Sequence, residues 1–188
     1  MRFEETSLPD VVLIEPEPIV DDRGFFVRVL SADLFAEAGI DHTRFVQENQ
    51  SRSRRRTIRG LHLRAAPGEA KMVRCTAGEI FDVLVDLRPA SPTFGRWERF
   101  VLDDRRHLQL YIPPGIAHGF QALSEVADVC YRHDQFYEPT LDVALAWNDP
   151  DIGVEWPLDD PILSTRDLDA PPLSELKGRL AEWFGPAA

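Results

Sequence analysis

Cysteine is scarce in this 188-residue chain: Cys75 and Cys130 lie far apart, each inside a strand-like run, and no CxxC pattern occurs. That excludes a disulfide framework and the paired-cysteine zinc motifs, leaving two reduced, buried thiols as the expectation. Long apolar runs are missing too. None reaches the length of a membrane span, and the first residues, MRFEETSLPD, carry acids and an early proline in place of a signal-peptide pattern. A soluble, cytoplasmic protein with no membrane partner is expected. Positive charge is in short supply, with 21 Lys and Arg against 32 Asp and Glu, a net charge of −11. So acidic a chain lacks the broad positive surface of a general nucleic-acid binder, and no nucleic-acid partner is expected. No G-x-G-x-x-G or Walker pattern is present, which argues against Rossmann and P-loop domains.

What is present reads mostly as strand. The apolar content (44%) suits a single domain over residues 1–188. In GEIFDVLVDL, Phe81, Val83, Val85 and Leu87 alternate with Ile80, Asp82, Leu84 and Asp86, period two with one face more polar. KMVRCTAG precedes it, with Gly78 as the turn, and RWERFVLDD, HLQLYIPPG, GFQALS and VADVCYRH follow at turn-separated intervals. Such spacing predicts an antiparallel sandwich or small barrel rather than a βαβ fold. Two helices are predicted. SADLFAEAG has Ser31 as N-cap and Gly39 as stop; LSELKGRLAEWFG puts Leu173, Leu176, Leu180, Trp183 and Phe184 on one side. EPEP and DAPPL read as connections around one core.

Several polar residues fall on strand faces predicted to point inward. Lys71 shares a face with Val73 and Cys75, Tyr131 with Ala127 and Val129, and Gln47 and Asn49 with Phe45. An ammonium, a phenol and two amides aimed at an apolar interior are costly unless something binds them. Together they predict a polar-lined cavity inside a barrel. RGLHLR (59–64) raises the sharpest question. Taken alone, His62 is compatible with a core histidine whose nitrogens are both satisfied, or with a base of pKa near working pH. Arg59 and His62 are an odd number apart, so a regular strand aims them at opposite faces. Both face one cavity only if Gly60 makes a bulge.

DDRGFF (21–26), FVQENQSRS (45–53), RGLH (59–62), KMVR (71–74), GEIFDVLVDLR (79–88), SPTFGRW (91–97), IPPGIAHGF (112–120), YRHDQFY (131–137), WNDPDIGVEWP (147–157) and PILSTRD (161–167) follow one another in order. Together, over about residues 2–170, they resemble the dTDP-4-dehydrorhamnose 3,5-epimerase family. The resemblance implies a mainly β fold, a cupin-type double-stranded β-helix (jelly roll) with a few short helices. It implies a homodimer, and epimerisation of a nucleotide-linked 4-keto-6-deoxyhexose at the carbons flanking the keto group. On the matching positions, His62 is the base, Asp167 its partner, Lys71 steadies the enolate, Tyr131 is the opposing acid and His118 lines the pocket. Arg59, Gln47, Asn49 and Phe136 match ligand-contacting positions. Arg23 and the base-packing Phe26 come from the neighbouring subunit. No metal or organic cofactor is implied.

The chemistry is self-consistent. Removing a proton beside a carbonyl leaves negative charge on oxygen, which a cation already in place stabilises. Inversion then needs a proton from the other face. Guanidinium forks suit a diphosphate and give an acidic protein a local positive funnel. Other readings remain beside these. Asp169 competes with Asp167, RSRRR (52–56) reads as a solvated loop, and Trp97, Trp147 and Trp156 read as packing. Cupins that bind iron or manganese use an HxH pair, and Arg64 stands where the second histidine would be. Arg64 also replaces the family's usual glutamine, and Arg28 an acid near the nucleotide-base site, so the nucleotide stays open. So does whether one or both carbons invert. A mono-epimerase or ketoisomerase on a different nucleotide sugar, and a non-catalytic sugar-nucleotide-binding cupin, are the alternatives.

Overall fold

Alternation becomes strand almost throughout the computed structural model, which describes residues 1–185. The strands are β1 (Arg2–Glu5), β2 (Val12–Glu15), β3 (Ile19–Asp21), β4 (Gly24–Phe26), β5 (Gln47–Arg54), β6 (Ile58–Arg64), β7 (Lys71–Ala77), β8 (Glu79–Asp86), β9 (Trp97–Asp103), β10 (Gln109–Ile112), β11 (Ile116–Ala122), β12 (Val126–His133) and β13 (Asp142–Ala144). Among the described residues three α-helices join them: α1 (Ala32–Glu37), α2 (Thr165–Leu168) and α3 (Leu173–Phe184). Six strands form one sheet in the order β1-β2-β10-β7-β12-β5, and five form a second in the order β13-β6-β11-β8-β9. The ladders are antiparallel, the jelly-roll arrangement expected. The β3–β4 hairpin joins neither large sheet.

Three apolar layers hold the sheets. Between them lie Val73 and Cys75, Ile80 and Leu84, Leu110 and Ile112, Ile116 and Phe120, and Ala127 and Val129. The other face of the five-stranded sheet (Leu61, Leu63, Phe81, Val83, Val85, Leu87) is covered by α3 through Leu173, Leu176 and Leu180. Each such leucine contributes about 1.5–3 kcal/mol by burial. Trp97 and Trp156 pack on this layer, and Trp156 Nε1 donates to the Trp147 carbonyl at 2.8 Å. On the outer face of the six-stranded sheet, Phe35 of α1 packs with Ile14, Ile40 and Met72. The chain's lysines end up in opposite settings: Lys71 faces the interior, while Lys177 stands on the solvent side of α3.

Several expectations change. The more polar face of β8 lies in the interior, because both its faces are covered. Asp82 and Asp86 are fully buried, Asp86 accepting from Arg88, Ser91 and Thr93. Phe45 does not share a face with Gln47 and Asn49. The strand begins only at Gln47, and Phe45 packs with the α1 layer on the far side of the sheet. RSRRR is not one solvated loop either. Arg52 and Arg54 belong to β5, with Arg52 bidentate on Asp128, and only Arg55 and Arg56 turn the corner. Ser31 sits at the N-cap of α1, but its hydroxyl bonds the Asp33 carboxylate and caps no backbone N–H. Both cysteines are free and buried, as expected.

The Gly60 bulge is present. Across β6 and β11, His118 pairs with His62 and Phe120 with Arg59, so two steps on β11 span three on β6. Gly60 has φ +131°, and a Cβ there would lie 2.5 Å from the Gly119 Cα. Only glycine allows that approach. The extra residue turns Arg59 onto the same face as His62.

Candidate active site

At one end of the sandwich, polar side chains replace the inter-sheet core and line a cavity of about 590 Å³. The six-stranded sheet supplies Gln47, Asn49 and Ser51 from β5, Lys71 from β7, and Tyr131 and His133 from β12. The five-stranded sheet supplies Arg59, His62 and Arg64 from β6, with His118 and Phe120 from β11. All follow period two once the bulge is allowed for. The segment around α2 closes a side with Ser164, Arg166 and Asp167.

Two histidine–carboxylate pairs occupy neighbouring strands. His62 Nε2 lies 2.6 Å from Asp167 Oδ1, with the imidazole partly exposed to the cavity and the carboxylate buried. Asp167 sits in the first turn of α2, where the N-cap Ser164 donates its hydroxyl to Oδ2 at 2.8 Å and accepts from the Asp167 N–H. Burial alone would raise this carboxyl, but the His62 and Ser164 hydrogen bonds outweigh it and hold it below the ordinary aspartate value. The rival Asp169 only ends α2 and is exposed. His118 Nε2 lies 2.8 Å from Asp82 Oδ2, and both side chains are buried. There burial wins: Asp82 is pushed up, against the pull of His118, and its Oδ1 has no partner.

Opposite His62, Lys71 Nζ lies 3.1 Å from Glu69 Oε1, and His133 Nδ1 lies 3.3 Å from Glu69 Oε2. Burial would raise Glu69, yet the His133 hydrogen bond and the Lys71 charge hold it at about 2. Tyr131 meets the Ser51 hydroxyl at 3.0 Å, and burial pushes its phenol up despite that bond. It therefore keeps its proton at neutral pH. Arg59 is steadied by Ser53 Oγ at 3.0 Å and the Arg52 carbonyl at 3.3 Å. Arg64 donates Nη1 to the Phe136 carbonyl at 2.9 Å.

A sequence model of dTDP-4-dehydrorhamnose 3,5-epimerase matches residues 5–175. The chain belongs to this family. It is 45% identical over 177 residues to the dTDP-4-dehydrorhamnose 3,5-epimerase of Methanothermobacter thermautotrophicus, spanning 93% of this chain and 95% of that one. Among solved structures it is similar to NovW, a 4-keto-6-deoxy sugar epimerase from the novobiocin cluster of Streptomyces spheroides. The TM-score is 0.92 and the identity 41%, over 95% of this chain and 90% of that one. It is also similar to the Legionella pneumophila dTDP-6-deoxy-D-glucose-3,5-epimerase in complex with dTDP-4-keto-L-rhamnose, with TM-score 0.89 and 38% identity over 95% and 96% of the two chains.

In this member of the epimerase family the fold brings His62, Asp167, Tyr131, Lys71, Gln47, Asn49, Arg59 and His118 to one cavity. Arg23, Phe26 and Phe136 are not among its lining residues. Arg23 and Phe26 lie on or beside the exposed β3–β4 hairpin, and Arg23 pairs with Asp21. Phe136 points to solvent, and the neighbouring Tyr137 lines the wall instead. Sequence reasoning missed Glu69, His133, Ser51, Ser53 and Ser164. For Ser164 a signal existed, since S-x-x-D is a capping-box spacing. The wall is also not a positive funnel. Arg59, Arg64, Lys71 and Arg166 stand against Glu69, Glu138, Asp142 and Asp167, and the last cation pairs with Asp142 at 2.6 Å. Arg59 and Arg64 are left with no carboxylate within ion-pair distance among the described residues.

Proposed function

We propose that this chain inverts the carbons beside the keto group of a dTDP-linked 4-keto-6-deoxyhexose, with His62 as base and Tyr131 as opposing acid. One observation carries the reading: base and acid stand on opposite sheets across one cavity, with a carboxylate 2.6 Å behind the base. Facing sheets lie about 10 Å apart, room for one sugar ring between them. His62 Nε2 is held by Asp167, so Nδ1 is the nitrogen that takes the proton from carbon. The electron pair moves to the enolate oxygen beside the Lys71 ammonium, and Asp167 stabilises the imidazolium formed. Tyr131 then gives its proton to the same carbon from the other side. The phenolate left behind faces the Ser51 hydroxyl, and both groups reset by exchange with water. Arg59, with no competing carboxylate, takes the diphosphate, and Gln47, Asn49 and His118 complete the pocket.

The site is completed by a second copy of the chain. Ile19, Val20, Phe25 and Phe26 are exposed on a hairpin that belongs to neither large sheet, an apolar surface that calls for a cover. A homodimer that lays this hairpin at the partner's cavity supplies Arg23 to the phosphates and Phe26 to the base. Light scattering on the intact protein reads the dimer, and Arg23→Ala weakens dTDP binding about tenfold or more.

The deciding experiment is proton NMR in deuterated water with dTDP-4-keto-6-deoxyglucose. Deuterium enters both flanking carbons if both invert, and one if a single carbon does. Binding of dTDP without any exchange would replace the enzyme reading with a sugar-nucleotide-binding module.

A further inference from the structure

Glu69 lies two residues before β7, outside the alternating pattern, yet its carboxylate bridges two cavity groups. One oxygen meets the Lys71 ammonium and the other the His133 ring. All three side chains are largely buried, at 13, 10 and 16% exposure for Glu69, Lys71 and His133. The backbone holds this cluster in place. Lys71 and His133 are register partners across β7 and β12. Asp134 accepts from the Ala70 N–H at 2.8 Å, its own N–H donates to the Ala70 carbonyl, and Arg44 closes the other carboxylate oxygen at 2.9 Å.

We infer that Glu69, braced by His133, is the positioning residue that fixes the Lys71 ammonium for the enolate oxygen; this rests on the reading of Lys71 given above. A lysine is a point charge on a flexible stem with three donors and no preferred direction. A carboxylate at 3.1 Å gives the buried ammonium a counter-charge and an orientation while engaging one face of it, so donors remain for a ligand. His133 serves two ends. Its Nδ1–H pins the second oxygen, so Glu69 cannot swing into the cavity, and it draws part of the carboxylate charge away from Lys71. The ammonium then keeps a net pull on developing charge.

The test compares Lys71→Met, Glu69→Gln, the double variant, His133→Asn and His133→Val in turnover of dTDP-4-keto-6-deoxyglucose by the full chain. Thermal melts and dTDP affinity serve as folding controls. Lys71→Met lowers kcat about 100-fold or more, as loss of an oxyanion donor does. Glu69→Gln lowers kcat about tenfold or more, with KM within about threefold. In the Lys71→Met background it costs nothing further, because its effect runs through the lysine. His133→Asn keeps a donor near Nδ1 and retains most of the rate, whereas His133→Val falls toward Glu69→Gln. Should Glu69→Gln fail to fold, Glu69→Asp, which keeps the charge but cannot span both partners, reads the same loss. Wild-type kcat in the Glu69 and His133→Val variants, or additive losses in the double variant, would overturn the inference while Lys71 keeps its role. Full activity in Lys71→Met sinks the reading of Lys71 itself.

Discussion

Two histidine–carboxylate pairs stand side by side on β6 and β11, built from the same groups at nearly the same distance, 2.6 Å for His62–Asp167 and 2.8 Å for His118–Asp82. Their surroundings set them apart. Asp167 has a second donor, Ser164, so the carboxylate is held ionised and can stabilise a charged imidazole that opens onto the cavity. Asp82 is sealed in, one oxygen lacks any partner, and burial favours its protonated form. The first pair sets an ionised carboxylate behind an imidazole that opens onto the cavity, and the second is closed within the wall. Sequence distance from a histidine says nothing of this difference; the number of donors around each carboxylate decides it.

The widest gap between the pairs is in turnover. His62→Asn removes the proposed base and should lower deuterium incorporation at the sugar carbons by about 10³-fold or more, whereas His118→Asn should cost about tenfold or less. The latter's main effect is about 1–3 kcal/mol of stability, measurable by urea unfolding, because the buried Asp82 loses its hydrogen-bond partner. Swapping the carboxylates comes next. Asp167→Asn lowers kcat by about 10²–10⁴-fold with dTDP affinity kept, while Asp82→Asn stays within about threefold of wild type.

Acid titration separates the pairs more gently. Asp167's folded pKa lies below the unfolded value of about 3.9, so its stabilisation is full above that value and is lost as pH falls through the folded pKa. Asp82 binds its proton more tightly when folded, so its effect has the opposite sign: stability declines as pH rises from about 3.9 toward the raised folded pKa. Unfolding free energies measured from pH 4 to 8 should therefore fall less steeply in Asp82→Asn than in wild type. The smallest effect belongs to Ser164→Ala. It removes the N-cap of α2 and one donor to Asp167, costing about 1 kcal/mol of stability and about threefold in kcat.

Much of this was legible in residue order, and the failures have physical causes. Period two placed Lys71 and Tyr131 on the inner face because β7 and β12 pair regularly from Lys71 to Cys75 and from Val129 to His133, and the odd spacing of Arg59 and His62 pointed to a bulge at Gly60. Alternation marked the Asp82 face of β8 only as the more polar one, and could not show that it lies between the sheets while α3 covers the other face. Glu69 was invisible because it sits in a loop after Pro67 and Gly68, where no periodicity applies. Phe45 misled because the strand ladder starts two residues after it. A residue whose partner arrives from another strand, such as Ser51 beside Tyr131, shows up only when the chain is folded.

The placement of the lysines has a practical consequence. Lys177 carries an exposed ε-amine on the outer side of α3, while the ε-amine of Lys71 is enclosed against Glu69. Amine-directed coupling through side chains therefore meets one ready target, on a helix that covers the sheet face opposite the cavity. An enzyme tethered to a bead or sensor surface through Lys177 is held by the sheet face that does not line the cavity, without engineering a tag.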